Sequence, residues 1–184
     1  MTRVSRIGVI SDTHGVLHPA VADAFANVDH IVHAGDIGGA HILDALRVLA
    51  PVTSVEGNND GDASGATIVR ITLDSLRLLI THILPRPHKP AARVTSSLRG
   101  DPADVVVFGH SHLPHNEIID GIRYFNPASA GPRRFDYPVS IGLFERKSNA
   151  WSAVHIALDE RSVEALKKRM NQLSLSPSGG EKAT

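Results

Sequence analysis

Five times along the chain, a short apolar run ends in a residue able to bind a hard or borderline metal ion. Residues 4–10 lead to Asp12 and His14, and residues 31–32 lead through His33-Ala34-Gly35 to Asp36. Residues 51–55 lead through Glu56-Gly57 to Asn58, residues 76–80 lead to His82, and residues 105–108 lead through Gly109 to His110 and His112. The donors are carboxylate, amide oxygen and imidazole. That set suits manganese, iron, zinc or nickel better than a soft-metal or iron–sulfur site. Asp12/His14 and His110/His112 are i, i+2 pairs. In extended backbone such residues point to the same side, so each pair is expected to offer two donors to one cluster. Glycine stands immediately before Asp36, Asn58 and His110. There it permits the sharp turn, positive φ included, that a strand needs as it ends in a ligand loop.

The elements that must position these residues follow from periodicity. Strands are expected at 4–10, 29–33 and 51–56, alternating with helices at 19–28 and 40–49. This β-α-β-α-β rhythm predicts right-handed crossovers and a largely parallel sheet. Residues 66–73 and 76–81 flank Asp74-Ser75 and predict a hairpin, and a helix is expected over 88–98. The β-branched run 104–108 reads as a buried strand. Residues 117–119 and 122–125 are joined by Asp120-Gly121, a favoured two-residue turn. A further hairpin is expected from 139–145 and 151–158, then a last helix from 159 or 160 to 173. In open α/β sheets ligands bind beyond the carboxyl ends of the strands, so five such ends on one rim would gather all the donors around one cavity.

Composition narrows the setting. The 184 residues suffice for one domain, expected over 1–173, with a polar, Gly/Ser-rich and disordered tail at 174–184. Lys plus Arg and Asp plus Glu each number 19, so bulk charge gives no support for a nucleic-acid or membrane-surface role, while a homo-oligomer stays compatible. With no cysteine, disulfides, thiolate sites and cysteine nucleophiles are excluded. The apolar run at 4–10 is too short for a signal segment and no stretch could span a bilayer, so a soluble cytoplasmic protein is expected. Histidine is abundant, at 11 residues. His18, His30, His41, His88, His115 and His155 lack motif support and are expected to be surface or structural. His33 is expected to support the site from behind rather than bind a metal.

SDTHG (11–15), AGD (34–36), GNND (57–60), TH (81–82) and GHSH (109–112) stand in the order found in the calcineurin-like metallophosphoesterase superfamily. The chain most resembles that superfamily's small bacterial and archaeal phosphodiesterase branch, over residues 7–129, with NPAS (126–129) similar to its Asn-Pro-Gly-Ser element. The resemblance implies an α/β (α+β) fold, a four-layer αββα sandwich of two mixed β-sheets flanked by helices. The strand and helix pattern alone does not separate that fold from a single mixed sheet. The resemblance also implies two divalent metal ions, manganese first among the candidates. Asp12, His14 and His112 would hold one, Asn58, His82 and His110 the other, and Asp36 both. Hydroxide bridging such metals would attack phosphorus in line, while the metals neutralise the phosphoryl oxygens. The implied substrate is a small phosphate ester, a diester before a monoester.

Three positions depart from the pattern. Asn59 stands where many relatives have a histidine thought to assist the leaving group, and an amide cannot act as a general acid; His33 and Asp60 are candidates to help. Ile83 and Ala128 each stand where glycine is usual. Arg86, Lys89, Arg133 and Arg134 could bind phosphate. Two competing readings remain. One is an interaction scaffold with little or no turnover, as in the retromer subunit of this architecture, though every ligand position is retained here. The other is a mononuclear zinc hydrolase, whose His-x-His barrel usually needs a longer chain.

Overall fold

We describe residues 4–61, 65, 67–148 and 150–175 of a computed structural model of the chain. The elements are β1 (Arg6–Ile10), α1 (Ala20–Ala24), β2 (His30–His33), α2 (Ala40–Arg47), β3 (Val52–Ser54), β4 (Ile68–Leu73), β5 (Leu76–Thr81) and α3 (Ala92–Gly100). They continue with β6 (Val105–Val107), β7 (His115–Ile119), β8 (Ile122–Asn126), β9 (Ser140–Lys147), β10 (Ala150–Ala157) and α4 (Glu160–Leu175).

The strands form two five-stranded sheets, ordered β10-β9-β1-β2-β3 and β4-β5-β6-β8-β7. In the first, β1, β2 and β3 are parallel, as the alternating rhythm predicts, and β9 runs antiparallel to β1. In the second, β5, β6 and β8 are parallel and the hairpins β4–β5 and β7–β8 close its edges. Both sheets are mixed.

Period-two alternation sorts the side chains into layers. Ile7, Val9 and Val32 from the first sheet meet Leu78, Ile80, Val105, Val107 and Phe125 from the second, forming the core between the sheets. Ile10 and Ile31 point the other way, onto Val21 of α1 and Ile42 and Leu46 of α2. Leu79, Val106 and Tyr124 pack outward against Val94 of α3. The result is helices, sheet, sheet, helix: the αββα sandwich. Helix α4 packs on β10 and β7, the edge strands of the two sheets. Glycine in β1 has a packing reason. A Cβ on Gly8 would lie 2.7 Å from a ring carbon of Phe25, which is fully buried over the sheet.

Several boundaries differ from expectation. Regular α1 is five residues long, and the chain to Val28 continues as hydrogen-bonded turns, with Val28 N donating to Phe25 O at 3.2 Å. Helix α3 begins at Ala92 rather than at residue 88, consistent with Pro90 disfavouring helical backbone in the residue before it. Helix α4 runs to Leu175, so residues 174–175, expected in the polar tail, are helical. The rest of that tail and Ala66, the expected start of β4, lie outside the described residues.

His155 of β10 turns inward, stacks on Phe125 with ring centroids 4.4 Å apart, and donates from Nε2 to Asn126 O at 2.7 Å. Burial lowers its pKa to about 4, and burial pushes His33 and His115 the same way, also to about 4. The unfolded chain therefore binds more protons than the folded one between about pH 6.5 and about pH 4, and stability falls as pH falls through that window. The melting temperature should decline across it. In His155→Gln the decline should be shallower, with a lower melting temperature already at pH 8, as thermal unfolding at a series of pH values would show.

Candidate metal centre

Strands β1, β2 and β3 are parallel neighbours in one sheet, and β5 and β6 are parallel neighbours in the other. Their carboxyl ends open onto one rim of the sandwich. Asp12 and His14 follow β1, Asp36 follows β2, Asn58 follows β3, His82 follows β5, and His110 and His112 follow β6. The loops are tied to one another by backbone hydrogen bonds. Asp12 N donates to Gly35 O at 3.0 Å, His14 N to Asp36 O at 2.9 Å, and Gly109 N to His82 O at 3.0 Å. His110 N crosses between the sheets to Asp12 Oδ2 at 3.1 Å.

The two i, i+2 pairs converge, but not by strand alternation. Asp12, His14, Asp36, His110 and His112 have φ of 54°, 47°, 53°, 67° and 56°, all in the left-handed region, and all lie beyond the strand ends. Non-glycine residues adopt that conformation at a cost of about 1–2 kcal/mol each. The role of the preceding glycines also needs correction. Gly35 takes a positive φ of 93°, as expected. Gly57 and Gly109 instead supply space. A Cβ on Gly57 would collide with Asp36 N and Oδ1, and one on Gly109 with Ser11 Oγ.

The side chains form one cluster with a looser edge. His112 Nε2 lies 3.3 Å from Asp12 Oδ1 and 3.2 Å from His14 Nε2, and the two rings stack at 5.2 Å. His14 Nε2 is also 3.7 Å from Asp36 Oδ2, and His82 Nε2 is 3.3 Å from Asp36 Oδ1. Two sets of donors lie within 4.8 Å of one another: Asp12, His14 and His112, and Asp12, Asp36 and His82. Exposed His110 falls outside both sets. Its Nδ1 meets Asn58 Oδ1 at 3.0 Å, and its ring lies edge-on to His82 at 5.3 Å.

Electrostatics favour an ionised Asp36 and a neutral His14 ring. Burial would raise the Asp36 pKa, but His82 and the Asn59 backbone and side-chain amides outweigh it and hold the carboxyl well below the usual range. Burial lowers the His14 pKa by more than the Asp12 and Asp36 charges raise it. Burial also opposes a charge on His82, yet Asp36, Asp12 and the Ala34 carbonyl together raise its pKa. His82 Nδ1–H donates to Ala34 O at 2.7 Å, which leaves the Nε2 lone pair facing the cluster.

This donor set fits divalent metal. Asp12 Oδ1 and His82 Nε2 are buried without a hydrogen-bond partner. An orphaned polar atom costs about 1–3 kcal/mol, which a bound cation would offset. Carboxylate and imidazole without sulfur is the matching chemistry.

The groups behind the cluster settle several open assignments. Fully buried His33 accepts from Gly35 N at Nδ1, so its Nε2–H donates to Thr13 Oγ1 at 2.9 Å, and Thr13 passes the chain to Ile37 O at 2.9 Å. Asp60 accepts from the backbone N–H groups of Ile37, Gly38 and Gly57 at 2.8–3.0 Å. Both candidate helpers are thus occupied in bracing the loops. Asn59 donates from its backbone to Asp36 Oδ1 at 2.9 Å and from Nδ2 to Oδ2 at 2.6 Å. In NPAS, Ser129 Oγ donates to Asp12 O at 2.8 Å and Asn126 Nδ2 to Gly109 O at 2.8 Å, joining two ligand loops. Ala128 has φ of 71°, which explains why glycine is usual there. Thr13 was not singled out by sequence reasoning; its place inside SDTHG is the one signal that pointed to it.

A model of the calcineurin-like phosphoesterase superfamily domain matches residues 6–149, and the chain belongs to that superfamily. Among its relatives, a probable metallophosphoesterase of Methanothermobacter thermautotrophicus is 37% identical over 142 residues, covering 72% of this chain and 81% of the relative. A protein of Methanocaldococcus jannaschii named as a phosphodiesterase is 28% identical over 142 residues, covering 66% and 82%. In fold, the chain is similar to a structure described as a novel archaeal phosphodiesterase (TM-score 0.62, 22% identity, 82% and 99% covered). It is also similar to Vps29 of Chaetomium thermophilum (TM-score 0.65, 16% identity, 83% and 97% covered). Among the described residues no helix is long and apolar enough to cross a membrane.

Because Asp60 holds three backbone N–H groups from two loops, Asp60→Ala should lower the unfolding free energy by about 1–3 kcal/mol. Urea titration followed by circular dichroism would measure it, and an unchanged midpoint would refute the bracing role.

Proposed function

We propose that the chain is a dinuclear metal-dependent phosphodiesterase acting on a small phosphate ester in the cytoplasm, with residues 1–173 as one catalytic domain. Asp12, His14 and His112 hold one metal, Asn58, His82 and His110 the other, and Asp36 serves both. Manganese is the first candidate, with iron, zinc and nickel as alternatives. The observation that carries this reading is the pair of orphaned buried donors, Asp12 Oδ1 and His82 Nε2, in a cluster where Asp12, His14, Asp36, His82 and His112 converge. Membership of a phosphoesterase superfamily and a relative named as a phosphodiesterase support the reaction class.

Divalent metals bound there supply Lewis acidity, lowering the pKa of coordinated water and neutralising the phosphoryl oxygens. The chain's own residues prepare the site. Ala34 O fixes the His82 tautomer, and His110 N together with Ser129 holds Asp12 in place. Asn59 clamps both oxygens of Asp36 and offers no acidic proton. With His33 and Asp60 committed to the backbone, the leaving group takes its proton from solvent, which favours good leaving groups.

Purified protein should contain metal, bind more manganese when it is added, and then hydrolyse bis(p-nitrophenyl) phosphate faster than p-nitrophenyl phosphate. Asp36→Asn should lower kcat/KM by about three orders of magnitude with an unchanged circular dichroism spectrum. If the metal-loaded protein turns over neither ester, the scaffold reading takes its place. Asn59→His should raise the rate on diesters with poor leaving groups by about tenfold or more. No gain there would refute solvent protonation as the consequence of Asn59.

A further inference from the structure

The segment after NPAS, residues 131–138, carries two arginines and two aromatic residues, and one of the arginines reaches the cluster. Its position is built in. Gly131 N donates to Ser129 Oγ at 3.2 Å, and a Cβ on Gly131 would collide with the carbonyl oxygens of Asp12 and Thr13. The two adjacent arginines have different fates. Arg133 bonds Tyr137 O at 2.8 Å, Ser162 Oγ at 2.9 Å and both oxygens of Asp159 at 2.7 and 2.8 Å, which staples the segment to the start of α4. Arg161 is likewise paired, with Asp136 at 2.7 Å. Arg134 has no carboxylate partner among the described residues. Its Nη2 lies 3.3 Å from His14 Nε2, at the edge of the donor cluster. A guanidinium N–H can donate to a neutral imidazole, and a metal held by His14 Nε2 would take that lone pair and leave the Arg134 charge facing the anion of a bound ester.

Next to Arg134, Phe135 is 82% exposed and has φ of 54°, a conformation that costs a non-glycine residue about 1–2 kcal/mol. Its ring lies 5.5 Å from that of Tyr137, tilted by 56°. An exposed aromatic held in strained backbone, next in the chain to an arginine that reaches the donor cluster, points to a ligand with a flat face of its own. Aromatic rings accept nucleobases in this way, and stacking tolerates any base.

We propose that Arg134 grips the phosphoryl group and that Phe135, backed by Tyr137, stacks on an aromatic substituent of the ester, so that the substrate is a nucleoside-class phosphodiester. This inference rests on the phosphodiesterase reading of the same site. Arg86 and Lys89 are not needed for it, and Arg133 is already committed to Asp159.

Product monoesters test the idea by binding as well as by turnover. Calorimetric titration of the manganese-loaded protein with AMP and with methyl phosphate should show AMP binding tighter by about tenfold, a difference of about 1.4 kcal/mol. Phe135→Ala should weaken AMP by about that factor and leave methyl phosphate unchanged. Arg134→Gln should weaken both by about tenfold, without altering the metal content of the protein. Equal affinity of wild type for the two ligands, or equal losses on both in Phe135→Ala, would overturn the stacking role. Unchanged phosphate affinity in Arg134→Gln would overturn the grip. These failures are separable from failure of the parent reading, because bis(p-nitrophenyl) phosphate hydrolysis and its loss in Asp36→Asn would then still be observed.

Discussion

Two carboxylates, Asp12 and Asp36, are 0% and 2% exposed at the seam between the sheets, and neither pairs with a lysine or arginine among the described residues. Burying such charges is expensive, and removing one hydrogen-bonding partner from them is more so. The polar groups around them follow from that fact. Asp36 is met by two donors from Asn59 and approached by His82, while Asp12 is met by the backbone of His110. What these neighbours leave unsatisfied is a compact set of oxygen and nitrogen lone pairs pointing at one place. A divalent cation is the simplest species that satisfies them together.

Holding this arrangement requires backbone that a free chain avoids. Five of the candidate donors sit in left-handed conformation, an accumulated strain that only surrounding contacts can maintain. Those contacts come from outside the donors themselves. Asp60 gathers N–H groups from the loops after β2 and β3, the His33–Thr13 chain joins the loops after β1 and β2, and Asn126 and Ser129 join the loops after β6 and β1. The sandwich makes this bracing feasible, since each loop emerges from a strand fixed by a core on both faces. Stability and function are therefore coupled here: weakening a brace loosens the donors.

The same fold is found in structures described as phosphodiesterases and as Vps29, so architecture alone does not choose between hydrolysis and scaffolding. The side chains bear on that choice: Asp12 Oδ1 and His82 Nε2 are buried without a hydrogen-bond partner, and a bound cation would satisfy both. Beyond the donors, the segment bearing Arg134 and Phe135 offers charge and an exposed ring at the edge of that cluster. Charge there suits a phosphate, and the ring suits what the phosphate carries.

The sequence by itself determined the candidate donors and their order, because each is announced locally by an apolar run, a glycine or a turn. It also determined the hairpins at Asp74-Ser75 and Asp120-Gly121, whose registers place Leu73 opposite Leu76 and Ile119 opposite Ile122. The parallel run of β1, β2 and β3 was legible for the same reason, as a repeated strand–helix rhythm. The second sheet was implied only by resemblance, since strand pairing between distant segments leaves no local trace. Tertiary structure alone decided how Asp12/His14 and His110/His112 converge: by left-handed turns beyond the strands, where distant contacts override the extended geometry that spacing suggests. It also decided that His110 faces Asn58, that His33 and Asp60 brace backbone, and that Arg133 is spent on Asp159 while Arg134 reaches His14. Neighbouring residues of one type are indistinguishable in a string of letters; which of them meets a charge depends on atoms contributed from elsewhere in the chain.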